Sequence, residues 1–130
     1  MNVKNLSLSG LAGAVINFLL GWLVYGILLK DMFKQPEEST INMILIFVAC
    51  LVISLFIAYI FLQWAQIKTL KTGAKAGAII GFFMGLNYNI WVMIMDGRDL
   101  QTLAIDVVVT VVTTAITGAV IGLTIGKLEN

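Results

Sequence analysis

LQTLAIDVVVTVVTTAITGAVIGLTI, residues 100–125, decides the fold. Its length exceeds the roughly 20 predominantly apolar residues that cross a hydrocarbon core about 30 Å thick. Its one charged side chain is Asp106. Backbone groups in lipid must be satisfied within the segment, so the stretch from Val107 to Val112 is read as helix, although in water it would suggest a strand. Small or polar residues recur at every fourth position: Asp106, Thr110, Thr114, Gly118, Gly122 and Gly126. The row puts a carboxyl group inside a membrane-spanning helix, above a groove that another helix can approach. An ionisable group at that depth is a functional-site hypothesis by default.

Working outward, three more apolar stretches run over residues 6–29, 41–64 and 76–95. The expectation is an all-α polytopic membrane protein, a single integral domain over 1–130, folded as an antiparallel four-helix bundle with glycine-rich helix contacts. Composition agrees: 60% of the 130 residues are hydrophobic, 12% are charged and mean hydropathy is +1.01. A soluble domain of this size would need more polar residues to cover its surface. The first span is too long for a secretory leader and lacks a cleavage site, so it is expected to stay as an anchor.

Connections are short. Lys30–Thr40 joins the first two spans, with Pro36, Glu37 and Glu38 suited to the first turn of the second helix. Ala65–Lys75 is read as helical extensions around a basic turn. Asp96-Gly97-Arg98-Asp99 makes a tight hairpin, so the spans it joins are antiparallel. Lys4, Lys68, Lys71, Lys75 and Lys127 fall on one side, and Lys30, Lys34 and Arg98 on the other. The excess favours both termini in the cytoplasm, with a dual-topology arrangement as the alternative. Tyr59, Trp64 and Trp91 include candidate interfacial anchors.

The chain has no histidine and one cysteine, Cys50, in the middle of an apolar run. That excludes disulfides, Cys/His metal sites and histidine general bases. No cofactor or metal is expected, and an enzyme is not expected, because acid–base chemistry would rest on Asp106 and tyrosines alone. A net charge of +1 offers no basic face for nucleic acid.

Rows of small residues also mark the other spans. The third carries Gly73, Gly77, Gly81 and Gly85, with Asn89 the next step; the first carries Ser9, Gly13, Asn17, Gly21 and Tyr25; the second carries Cys50, Ser54 and Ala58. Such spacing lets helix backbones approach closely in membranes. Gly13, Gly21, Gly73, Gly77, Gly81, Gly85, Gly118 and Gly122 are therefore read as packing positions, whether against this chain or a second copy. Four residues advance about 400° on a helix, so the row from Asp106 drifts about 40° per step. It serves either one helix crossing along the drift, or two partners.

Asp106 lies about ten residues beyond the hairpin, and Asn87 and Asn89 lie about as far before it, so they share a depth of about 12–15 Å. Tyr25 and Trp22 fall at a comparable level. Asp106, Asn87, Tyr88, Asn89 and Tyr25 are expected to converge there, with Thr110 below them. Tyrosine hydroxyls and asparagine amides can donate to a carboxylate. Arg98 is expected to reach away, toward water.

The segments NFLLGWLVYG (residues 17–26), KTGAKAG (71–77), DGRDLQTLAID (96–106) and TGAVIG (117–122) resemble a bacterial family of small four-span proteins catalogued as domain of unknown function 1761. The resemblance implies a four-helix bundle in the bacterial cytoplasmic (inner) membrane and brings no established activity. Some members carry a histidine about one turn after the aspartate; Thr110 stands there in this chain, which weakens a metal or proton-relay role. Two functions stay open. One is a homo-oligomer that passes a small molecule or ion, or couples transport to protons, at Asp106. The other is a structural or partner-binding membrane subunit, with the lipid bilayer its only certain environment.

Overall fold

The computed structural model describes residues 2–29, 31–32 and 39–129. They form helices with no strand among them. Helix α1 spans Val3–Leu23 and passes into a π-helical turn, Val24–Leu28; α2 spans Thr40–Ile60 and ends in a second π-helical turn, Phe61–Ala65; α3 spans Leu70–Asp96 and α4 Leu100–Glu129. All four are long and apolar enough to cross a membrane, and the second is the most apolar, with a mean hydropathy of 3.0.

Side chains set the helix ends. Asn2 accepts the Lys4 N–H at 2.8 Å, Ser39 that of Asn42 at 3.0 Å and Thr69 that of Thr72 at 3.2 Å, each satisfying an orphan donor of a first turn. The cap at Thr69 starts α3 six residues before the apolar stretch, so Lys71 and Lys75 ride on an amphipathic helical extension. Helix α3 stops at Gly97, whose φ of 72° is open to glycine and costly for other residues. Its N–H donates to the Met93 carbonyl at 3.1 Å, and two residues later Asp99 starts α4. The Thr102 hydroxyl hydrogen-bonds the Asp99 carboxyl and holds its pKa below the usual carboxylate range. Lys30, Lys34 and the expected first turn at Pro36, Glu37 and Glu38 lie outside the described residues.

Helix α4 is the centre of the bundle. It packs along α3 on one side and α1 on the other, while α2 lies against α1 and touches α4 more lightly. Contacts run in opposite directions along each pair, from Gly73–Gly118 to Gly85–Thr110 for α3 and α4, and from Gly10–Leu55 to Phe18–Phe47 for α1 and α2. The small row of α4 serves one line of approach. Gly118 and Gly122 meet Gly73, Thr114 meets Gly77 and Gly81, Thr110 meets Gly85, and Gly126 meets the Lys68 carbonyl just before α3. A helix that crosses along the drift therefore takes the whole row.

The α3–α4 seam is tight at Gly77, where a Cβ would run into the Thr114 carbonyl oxygen and would also meet the Ala115 Cα at 3.1 Å. Backbone cannot yield as a flexible side chain can, and only glycine allows that separation. Gly13 is also buried, with Ile121 side-chain carbons where a Cβ would be, at 2.6 Å. Gly21 departs from expectation: no atom lies within 4 Å of its Cβ position, so it packs against nothing.

Ile57, Ala58, Phe61, Ile121 and Ile125 form the buried apolar core, in the half of the bundle that contains the termini. There Lys68 pairs with Glu129 at 2.8 Å, tying the second connection to the end of α4. Most other apolar side chains, including Ile44, Val52, Phe83, Ile94 and Val108, point outward, as helices solvated by lipid require. Trp64 and Trp91 are exposed as well. Thr117 and Thr124 donate to carbonyls of their own helix at 2.9 and 2.7 Å, which satisfies their hydroxyls without a partner helix.

Candidate functional site

Asp106 sits at the end of the second turn of α4 and is 5% exposed. Two helical elements and the hairpin converge on its carboxylate. The Tyr25 hydroxyl, on the π-helical turn after α1, donates to Oδ1 at 2.5 Å. Asn89 of α3 donates from Nδ2 to Oδ2 at 2.6 Å. The same Nδ2 donates to the Gly85 carbonyl at 2.8 Å, which fixes the amide's orientation. Asn89 is fully buried because it continues the glycine row of α3, the face that lies on α4.

Arg98 does not extend to water as its position in the hairpin suggests. Its Nη1 donates to Asn89 Oδ1 at 2.6 Å and lies 3.6 Å from Asp106 Oδ2. The left-handed turn at Gly97 starts the side chain back along the bundle, and a buried carboxylate within its length competes successfully with solvent. The side chain is 18% exposed. Two charge-assisted hydrogen bonds through Asn89, stronger than neutral ones, and an ion pair at 3.6 Å thus link Asp106, Asn89 and Arg98.

Beside the network lies a cleft of about 390 Å³. Tyr25 and Thr110 line it together with Asp106; Tyr88, Val92 and Asp96 of α3 form a wall at four-residue spacing, and Arg98 completes the rim. Its floor is therefore α4, and its sides are α3 and the turn after α1. Thr110 is also a hydrogen-bonding neighbour of the Tyr25 hydroxyl.

Of the expected cluster, the structure brings together Asp106, Asn89 and Tyr25 in direct contact, with Thr110 and Tyr88 at the cleft. Tyr88 is 59% exposed and stands on the wall rather than in the network. Asn87 is exposed and is not brought to the site: two residues from Asn89 is about 200° around the helix. Trp22 also points outward. Sequence reasoning missed Arg98, Val92 and Asp96, although Asp96 and Val92 follow from Tyr88 by helical spacing alone. It also missed the π-helical turn that carries Tyr25; such turns often mark functional positions, and nothing in the local sequence announces this one.

The family model described as protein of unknown function (DUF1761) matches residues 8–122, which take in Tyr25, Asn89, Arg98 and Asp106. No curated protein and no solved structure matches the chain.

Proposed function

We propose that this chain, which belongs to the DUF1761 family, is a multi-pass membrane protein that binds a small solute in the Asp106 cleft and moves it through the membrane as a homo-oligomer. The observation that carries the reading is the cleft itself, about 390 Å³ in volume, with a buried, hydrogen-bonded carboxylate in its lining. That volume is in the range of small-molecule sites, roughly 300–1,000 Å³.

The rim of the cleft holds Asp96 and Arg98, at the end of the bundle where the hairpin meets the membrane surface. The opposite half is filled by Ile57, Phe61, Ile121 and Ile125. A solute would enter from the hairpin end and exchange hydrogen bonds with Tyr25, Arg98 or Asp106. Onward passage requires the apolar half to open, or a path between copies, since four helices enclose little volume. The five lysines on the side of the termini favour a cytoplasmic location for that side. The site is read as binding rather than catalytic, because acid–base chemistry there would rest on Asp106 and tyrosine hydroxyls alone.

The test is flux in proteoliposomes. Asp106→Asn should fold, keep its assembly state in detergent and lose solute- or proton-linked flux. An active Asp106→Asn protein, or a monodisperse monomer, would remove the reading. One observation favours the alternative of a structural or partner-binding subunit: both carboxylate oxygens already have partners within the chain. In that case wild type moves nothing, and Asp106→Asn weakens folding instead.

A further inference from the structure

The charges around the cleft are unequal, and the imbalance names a ligand class. We propose that the cleft takes a small organic monocation, an ammonium group on an apolar body; the inference rests on the solute-binding reading above. Asp106 and Arg98 offset one another, because Nη1 lies 3.6 Å from Oδ2 and both side chains bond Asn89. Among the described residues Asp96 is the remaining charge, so their lining carries two carboxylates against one guanidinium. Asp96 is also the last residue of α3, where the carbonyl end of the helix dipole adds partial negative charge. Both effects draw a cation to the rim and oppose an anion.

Val92 and the two tyrosine rings give part of the lining a surface for a carbon body. Tyr25 and Tyr88 both line the cleft, and a phenol ring attracts a cation that lies over its face. Val92 stands one helical turn from Tyr88 and one from Asp96, an apolar step between ring and carboxylate. A bare metal ion fits worse. Among the described residues no three acidic, cysteine or histidine side chains are placed to hold one. A single excess negative charge also matches a monocation better than a dication.

Calorimetric titration of the purified protein in an uncharged detergent, near neutral pH, separates the classes with three probes of one shape: benzylamine, benzyl alcohol and benzoate. Benzylamine should bind tightest. Asp96→Asn should weaken it about two- to fivefold, the range of an exposed ion pair, and added salt should weaken it further. Asp96→Lys should reverse the order of benzylamine and benzoate. Asp96 is exposed at a helix end, so neither variant disturbs packing.

Benzoate or benzyl alcohol binding as tightly as benzylamine overturns the cation inference and leaves a solute site standing. An unchanged order in Asp96→Lys overturns it as well. Absence of binding by all three overturns it too, and the flux experiment alone then decides whether the cleft serves any solute.

Discussion

Arg98→Met removes the guanidinium while keeping most of the apolar stem, and the structure sets the size of the effect. At 3.6 Å the attraction between Arg98 and Asp106 is about 4–5 kcal/mol at an effective dielectric near 20. Desolvation costs several kcal/mol per ion, so the intact pair is close to neutral overall. Removing one partner is different, because Asp106 then stays 5% exposed with neutral donors only. Breaking a buried pair in this way costs about 3–5 kcal/mol. The partial exposure of Arg98 and the separation beyond contact distance place this case at about 2–3 kcal/mol. The assay is reversible unfolding in mixed micelles, run as a double-mutant cycle with Asp106→Asn. The double variant should recover more than half the loss, with a coupling energy of about 1–3 kcal/mol. An Arg98→Met protein within about 0.5 kcal/mol of wild type, or strictly additive variants, would refute the buried pair.

Two further outcomes follow from the same contacts. Tyr25→Phe removes the 2.5 Å bond to Asp106 together with the hydroxyl's contact to Thr110, so it should cost about 1.5–3 kcal/mol in the same unfolding assay; no loss would mean that the bond to Asp106 is not formed in the membrane. Gly77→Ala should lower the thermal midpoint sharply, since its Cβ meets the Thr114 carbonyl, while Gly21→Ala, with nothing within 4 Å, should hold or raise it. Equal midpoints for the two alanine variants would undo the close-approach argument.

Depth was readable from the sequence, and azimuth only in part. Rise per residue places Tyr25, Asn87, Asn89 and Asp106 at one level from chain order alone. It does not say which of them face each other. Asn87 and Asn89 share a depth and differ by about 200° in direction. The phase of the glycine row could have separated them, because Asn89 extends Gly73–Gly85 and Asn87 does not. The hairpin was legible because Gly97 is one of the few residues that fits its left-handed turn. Arg98 was not, because a long, flexible side chain chooses between water and a carboxylate whose distance only the folded turn defines. The open space beside Gly21 was equally hidden: small residues permit a close approach and do not require one.

The cleft exists because α4 is held differently on its two sides. On the α3 side, backbone meets backbone at Gly73 and Gly77, and the seam continues through Gly81 and Gly85 to Asn89. Asn89 needs only a short side chain to reach Asp106, and little freedom remains there. On the α1 side, contact is close at Gly13 and gone at Gly21, one turn inward of Tyr25. Only the length of a tyrosine, set on a π-helical turn, spans the remaining gap to Oδ1. The α1 side is held at this level by the hydroxyl of Tyr25, through Asp106 and Thr110, and the α3 side by a seam of backbone against backbone. A bond to a charged group contributes about 1.5–3 kcal/mol, whereas sliding the seam would break its glycine contacts together. The end of α1 is therefore the less firmly held wall of this site, and α3 with α4 the more firmly held pair.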